Sequence, residues 1–129
     1  MKKLSLIFLF LMTIQASFAD KHALIIAVGD YPKSTGWSSI SSVNDVPLIK
    51  GALLNQGFLE KDIITLINEQ ATKQGILDAL ARLQSQLKPG DIVVIHYSGH
   101  GQQIFDDNGD EIDDKDESLV PIDAWVRYT

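Results

Sequence analysis

Three short apolar runs, each ended by polar or turn residues, dominate the pattern of this sequence. They cover residues 23–28, 63–67 and 92–97. The first run is followed by Gly29-Asp30-Tyr31-Pro32, and the third by Ser98-Gly99-His100-Gly101. An apolar run of this length that ends in turn residues is typical of a strand covered on both faces. We therefore predict three buried strands, and a fourth at residues 118–122.

Two amphipathic helices are predicted between these runs. Asn44 or Asp45 can cap the first helix, which has Pro47 in its first turn, and Thr72 opens the second helix. Their apolar positions recur at spacings of about three and four residues: Leu48, Ile49, Leu53, Leu54, then Ile76, Leu77, Leu80, Leu83 and Leu87. This alternation predicts an α/β fold with a mainly parallel sheet and helices on both faces. His100 and the polar loop of residues 33–42 would then lie at the carboxyl edge of the sheet.

The first 19 residues have the organisation of a secretory signal peptide. Lys2 and Lys3 precede a short apolar stretch, and the small residues around Ala19 suit cleavage after that position. The stretch is too short for a membrane anchor, which needs about 20 apolar residues. We expect residues 1–19 to be removed, no stable membrane insertion, and a periplasmic or extracellular protein.

Composition narrows the possible partners. The formal net charge is −6, and removal of residues 1–19 takes away two lysines and no acidic residue. The remaining basic residues are scattered, so nucleic acid is not an expected partner. The sequence contains no cysteine, which excludes a disulfide framework and leaves stability to packing or to a bound ion.

His100 is the strongest candidate for chemistry, because it follows a buried strand and lies between two glycines. The glycines remove side-chain bulk and expose backbone amides near the ring, which suits a general base beside an oxyanion site. The Gly101 N–H is the candidate donor to that oxyanion. The alternative is a turn histidine without a chemical role. The usual partner of such a base, a cysteine nucleophile, is absent from the sequence.

An acidic segment follows, with eight carboxylates and one lysine between residues 106 and 117. It is either a solvated loop or a cation site, since Ca²⁺ prefers carboxylate and carbonyl oxygens. Asp106, Asn108 and Asp110 have the spacing of the first EF-hand ligands. Glu111 stands where that loop requires glycine, so an EF-hand is not indicated. Cation binding stays open.

Asp45 allows two interpretations. It can belong to the N-terminal cap of the first helix, or its carboxylate can face the mouth of a site at the sheet edge. Both hold together if Asn44 caps the helix while Asp45 faces the cleft.

These segments together resemble the caspase-like cysteine peptidases, most closely the metacaspase and bacterial orthocaspase branch. The similarity runs from Lys21 to Asp123. It rests on four segments in a specific order: Ala-Leu-Ile-Ile-Ala-Val-Gly-Asp-Tyr from Ala23, Val43-Asn44-Asp45-Val46, Tyr97-Ser98-Gly99-His100-Gly101, and Asp110 to Asp123, which ends in Glu117-Ser118-Leu119-Val120-Pro121-Ile122-Asp123. The resemblance implies a three-layer α/β/α sandwich, of which residues 20–129 would be the N-terminal portion, incomplete at the C-terminus.

The resemblance also implies residue roles. His100 would be the catalytic base, and the Gly101 amide would help to hold the oxyanion. Asp45, with Ser98 and Ser42 beside it, would line the pocket for an Arg or Lys side chain before the scissile bond of a peptide substrate. Ca²⁺ activates several members of this family. Its ligands here would include Asp116, with Asp113 and Asp114 as further candidates.

The sequence departs from the family pattern because the nucleophilic cysteine would follow a strand beyond Thr129. Three hypotheses remain. The chain is the N-terminal part of a cysteine endopeptidase and is inactive alone, or it is a non-catalytic binding module of the same fold. The third is a Ca²⁺-responsive exported domain, indicated by the acidic segment alone.

Overall fold

The computed structural model describes residues 19–126. The strands are β1 (Lys21–Ala27), β2 (Ile63–Ile67), β3 (Ile92–Ser98), β4 (Gly101–Phe105) and β5 (Lys115–Leu119). The helices are α1 (Asp45–Asn55) and α2 (Lys73–Gln86), with short 3-10 turns in the connections. The predicted signal peptide lies outside the described residues except for Ala19.

The main sheet has the strand order β2-β1-β3, and both pairings are parallel. Ala27 pairs with Ile67 on one side and with Ser98 on the other. The carboxyl ends of all three strands therefore meet at one edge. The prediction of a mainly parallel α/β sheet is confirmed, but only β1 is a buried strand. β2 is half-buried, and Ile92, Val93 and Ile95 of β3 are exposed, because both strands lie at the edges of the described sheet.

The central strand β1 separates two apolar cores, because successive side chains of a strand point to opposite faces. Leu24, Ile26 and Val28 pack with Ile76, Ala79 and Leu83 of α2. Ala23, Ile25 and Ala27 pack with Val46 and Leu53 of α1. These five residues of β1 and Val28, which follows the strand, are at most 1% exposed. One helix on each face gives the expected three layers.

Local capping explains the start of α2 but not the start of α1. The Thr72 hydroxyl accepts a hydrogen bond from the Gly75 N–H at 3.0 Å, so Thr72 caps α2 as expected. At α1, Asn44 precedes the helix, but its side chain makes no capping hydrogen bond. The predicted capping role of Asn44 is therefore not seen, and the Asp45 carboxylate is directed elsewhere.

The fourth strand differs from the prediction. It spans Lys115–Leu119, and it pairs with the unpredicted β4 in a separate antiparallel hairpin. Val120 and Ile122 produced the apolar signal at residues 118–122. Both are buried against the α2 face of the core, but in an irregular segment whose Ile122 N–H donates to the Ala71 carbonyl. Their burial reflects packing beside α2, not strand pairing.

Between residues 19 and 126, no helix has the length and apolar character needed to cross a membrane.

Candidate active site

His100 lies two residues after the end of β3, at the carboxyl edge of the sheet, and hydrogen bonds hold both its backbone N–H and its carbonyl. Its N–H donates to the Tyr31 hydroxyl at 3.1 Å. Its carbonyl oxygen accepts the Val120 N–H at 3.0 Å. Tyr31 follows the end of β1, and Val120 follows β5. The position of His100 therefore depends on the main sheet and on the hairpin together.

The imidazole of His100 is oriented by the loop that follows β1. Its Nε2 lies 2.8 Å from the Ser38 carbonyl oxygen. The ring stacks on Trp37 with centroids 4.9 Å apart, and it also contacts Tyr31 at 5.0 Å. A carbonyl oxygen only accepts hydrogen bonds, so the shared hydrogen is on Nε2. In the neutral ring Nδ1 then carries the lone pair, and it is the nitrogen able to take a proton.

Two tyrosine hydroxyls hydrogen-bond to the backbone of His100. The Tyr97 hydroxyl lies 2.9 Å from the His100 carbonyl oxygen and 2.8 Å from that of Val120. The Tyr31 hydroxyl donates to the Val120 carbonyl at 2.9 Å and lies 3.4 Å from the Tyr97 hydroxyl. Burial, together with the hydrogen bond to Tyr31, raises the pKa of Tyr97 far above its usual range. The Tyr97 hydroxyl therefore stays protonated and neutral.

The glycine before the histidine is required by close approach. A Cβ at Gly99 would lie 2.4 Å from the Tyr97 hydroxyl oxygen and 3.0 Å from that of Tyr31. The tyrosine pair can therefore reach the His100 backbone only if residue 99 has no side chain. Gly101, the candidate oxyanion donor, is the exposed first residue of β4 and pairs with Leu119.

Asp45 and Ser98 lie together at this edge. The Ser98 hydroxyl donates to the Asp45 carboxylate at 2.5 Å, which joins the end of β3 to the start of α1. Ser42 is buried in the 3-10 turn that leads into α1, and its carbonyl accepts the Asp45 N–H. The three residues predicted to line the substrate pocket thus belong to one local group.

In the acidic segment, the carboxylates of Asp106, Asp110 and Asp116 offer oxygens within 4.8 Å of one another. Asp113 and Asp114 are exposed and lie outside this group. Asp106 is buried and accepts the N–H groups of Glu111, Gly109 and Asn108. These hydrogen bonds lower the pKa of Asp106. Burial, followed by the neighbouring charges of Asp106 and Asp110, raises the pKa of Asp116.

Several residues that shape the site were not identified from the sequence. Asn68, at the end of β2, has φ 45° and accepts the N–H groups of Gly29 and Asp30 through its side-chain oxygen. Its amide also donates to the Asp30 carboxylate at 2.7 Å. The position of Asn68 after a predicted parallel strand is a signal that could have found it. The contribution of Ser38 is a backbone carbonyl, which no residue type reveals.

Comparison with known proteins agrees with this geometry. The model of the metacaspase, peptidase C14 domain matches residues 21–127. Metacaspase-2 of Arabidopsis thaliana is 39% identical over 111 residues, which are 81% of this chain and 26% of that protein. Metacaspase-1 of Schizosaccharomyces pombe is 39% identical over 88 residues, 63% of this chain and 21% of that protein. The chain thus spans about a quarter of the length of the curated relatives it matches.

Among solved structures, the crystal structure of protein GSU0716 from Geobacter sulfurreducens aligns with a TM-score of 0.65 and 28% identity. The alignment covers 83% of this chain and 41% of that one. It supports the caspase-like α/β arrangement of sheet and helices. With a family model that matches nearly all of the described residues, the chain belongs to the metacaspase family of caspase-like cysteine peptidases.

Proposed function

We propose that this chain provides the base and part of the substrate pocket of a cysteine endopeptidase. The observation that carries the proposal is the orientation of His100. Its Nε2 is directed at the Ser38 carbonyl, and this leaves Nδ1 as the basic nitrogen at the carboxyl edge of the sheet. A base held in one tautomer by a second group is a common arrangement in enzymes with an activated nucleophile.

The chemistry needs a thiol from outside these 129 residues, because they contain no cysteine. In the proposed reaction His100 Nδ1 takes the thiol proton, and the thiolate attacks the peptide carbonyl carbon. The Gly101 N–H helps to stabilise the resulting oxyanion. His100 then returns the proton to the leaving amine as the C–N bond breaks, and water later hydrolyses the thioester.

We assign the pocket for the residue before the scissile bond to Asp45, Ser98 and Ser42. The half-buried Asp45 carboxylate already accepts the Ser98 hydroxyl, and its remaining lone pairs can accept N–H donors of a substrate. An anionic group at the base of a pocket favours a cationic side chain. The proposed substrates are therefore peptides with Arg or Lys at that position.

We assign a Ca²⁺ site to Asp116 with Asp106 and Asp110. The group fits a hard cation because all of its donor atoms are carboxylate oxygens. The raised pKa of Asp116 reflects burial and repulsion by nearby carboxylates, and a bound cation would offset the repulsion. Asp116 is a half-buried residue of β5. β5 leads directly to Val120, whose N–H donates a hydrogen bond to the His100 carbonyl.

We further propose export through the signal peptide of residues 1–19, which places the peptidase in the periplasm or outside the cell. In the fold β1 begins at Lys21, two residues after the proposed cleavage position. Cleavage after Ala19 therefore leaves every described strand and helix intact. The first residue of the processed chain would be Asp20, and its backbone nitrogen, which donates to the Asp91 carboxylate at 3.0 Å, would become the α-ammonium group.

The test uses the protein isolated from its source organism. Its mass and thiol content are measured, and it is assayed on peptides that differ only in carrying Arg, Lys, Gln or Asp before the scissile bond. The proposal expects cleavage after Arg and Lys that a thiol-alkylating reagent abolishes. A product with a thiol that cleaves none of these peptides, with or without Ca²⁺, contradicts it. A product without any thiol that still binds Arg peptides supports the non-catalytic binding module instead.

A further inference from the structure

A second group of chemically active side chains lies at the opposite edge of the sheet from His100. Asp20, His22 and Asp91 surround the starts of β1 and β3, where Lys21 pairs with Ile92. Each of the three offers a ligand atom, and these atoms all lie within 4.8 Å of one another. β1 has seven residues, so this group lies about 20 Å from the candidate active site, at about 3.3 Å per strand residue. The two sites are separate.

His22 is the unusual member of the group. Its side chain is 10% exposed, and among residues 19–126 neither of its ring nitrogens has a hydrogen-bond partner. Its Nε2 lies 3.7 Å from Asp91 Oδ2, which is longer than a hydrogen bond. Buried polar atoms without partners cost free energy. The position therefore favours a bound species that the imidazole and the carboxylate can share.

Asp91 is held in place to receive such a species. Its Oδ2 accepts the Lys88 N–H at 2.8 Å, and its Oδ1 accepts the Asp20 N–H at 3.0 Å. Each oxygen of a carboxylate has a second lone pair, and one on each remains available. The Asp91 side chain is only 7% exposed, which limits its movement.

We propose that Asp20, His22 and Asp91 form a binding site for a transition-metal cation of the Zn²⁺ type. One imidazole and two carboxylates match the ligands of Zn²⁺, whereas Ca²⁺ and Mg²⁺ prefer oxygen alone. Ligand atoms at about 2.0–2.2 Å from Zn²⁺ lie about 3.3–3.6 Å apart in a tetrahedron. The 3.7 Å between His22 and Asp91 is close to that spacing. The Asp20 side chain is 61% exposed, so it can shift towards a bound ion without displacing packed neighbours.

In a chain cleaved after Ala19, the α-ammonium of Asp20 would lie beside Asp91 Oδ1 and compete with a bound cation. A second competitor among the described residues is Lys88. Its ammonium lies 3.6 Å from Asp20 Oδ2, and both side chains are largely exposed. An exposed pair of this kind contributes little free energy, so a divalent cation displaces it readily. The bound ion would join the first residues of β1 and β3 and would stabilise the fold by mass action. This inference does not depend on the proposed peptidase function.

The test is a calorimetric titration of the purified chain with ZnCl₂. Excess Ca²⁺ is present to saturate the carboxylate group of Asp106, Asp110 and Asp116. We expect one Zn²⁺ per chain, with affinity reduced at least tenfold in His22→Gln and in Asp91→Asn. His96→Gln is the matched control and should bind as the wild type does. His96 Nε2 is also buried and has no partner among the described residues, but His96 lies in neither carboxylate cluster.

Thermal unfolding provides the second measurement. Zn²⁺ should raise the melting temperature of the wild type and of His96→Gln, and it should not raise that of His22→Gln. If His22→Gln or Asp91→Asn fails to fold, the exposed substitution Asp20→Asn replaces them, and it too should weaken binding. Equal Zn²⁺ affinity in the wild type and in all cluster variants overturns the proposal. Failure of the wild type to bind also overturns it.

Discussion

The Ser98 hydroxyl donates a hydrogen bond of 2.5 Å to the carboxylate of Asp45, across 53 residues of sequence. The contact joins the last residue of β3 to the first residue of α1. It brings a fixed anionic group to the same sheet edge as His100. The end of β3 therefore positions both Asp45, the proposed specificity residue, and His100, the proposed base.

Replacing Asp45 should remove the preference for basic substrates. In the cysteine-containing form of the protein, Asp45→Asn should lower kcat/KM for an Arg peptide at least about 30-fold, because loss of one partner of a buried charge pair costs about 2–5 kcal/mol. Peptide cleavage assays measure this ratio directly. Ser98→Ala keeps the carboxylate charge and serves as the control, with a smaller loss. An Asp45→Asn enzyme that still prefers Arg over Gln would contradict the assignment of the pocket.

The tyrosine pair beneath His100 should act as a unit. Tyr97→Phe and Tyr31→Phe should each lower the free energy of unfolding by about 1–3 kcal/mol, because each removes a partner of buried backbone groups. The hydroxyls lie 3.4 Å apart and share the Val120 carbonyl. Urea unfolding of both single variants and the double variant should therefore show a coupling of about 0.5 kcal/mol or more. Strictly additive losses would mean that the two hydroxyls work independently.

The tautomer of His100 is also testable. The Ser38 carbonyl accepts from Nε2, so the neutral ring should carry its hydrogen there and leave Nδ1 unprotonated. Nitrogen-15 chemical shifts of the ring, recorded at a pH where the imidazole is neutral, report which nitrogen bears the hydrogen. His22 and His96 in the same spectrum are internal references. A neutral His100 protonated on Nδ1 would refute the proposed direction of proton transfer.

Acid should weaken the hairpin through Asp106. Hydrogen bonds from Glu111 and Gly109 lower its pKa below the ordinary value of 3.8. The stability that this carboxylate contributes is present above that value and is lost as the pH falls through the lower folded-state pKa. Asp116 acts oppositely, since its raised pKa makes protonation stabilising. The comparison is therefore made in an Asp116→Asn background.

In that background, the difference in unfolding free energy between Asp106 and Asp106→Asn chains should be largest at about pH 6 and should shrink below about pH 4. Chemical unfolding across this range provides the measurement. A difference that stays constant with pH would show that Asp106 is not held as a carboxylate by its backbone donors.

Much of the fold follows from local signals. The uninterrupted apolar residues of β1 require cover on both faces, and Thr72 has the side chain that a helix cap needs. The strand β4 gave no such signal, because Gln102 and Gln103 are polar and interrupt any apolar run. In the fold, the apolar Phe105 of this strand is 74% exposed. That strand exists through pairing with β5, a long-range interaction that the pattern of a single segment does not encode.

The residues of the candidate site likewise fall into those that the sequence identifies and those that only the fold reveals. His100 and Asp45 have distinctive side chains in distinctive positions, so the sequence identifies them as candidates. The contribution of Ser38 comes from its backbone, and that of Trp37 comes from a loop without periodicity. Asp110 joins Asp116 because the turn between β4 and β5 brings them together, whereas Asp113 and Asp114, which are nearer in sequence, are exposed and lie outside the group. Loop geometry decided these outcomes.

The central claim is that His100 is the base of a cysteine peptidase. The most direct measurement is kcat/KM for cleavage after Arg by the cysteine-containing protein, with His100→Ala compared against His96→Ala, a half-buried histidine of the same strand region. General-base catalysis contributes about 10²–10⁴-fold, so His100→Ala should lose at least about 100-fold and His96→Ala far less. An active enzyme that keeps its full rate in His100→Ala would contradict the account.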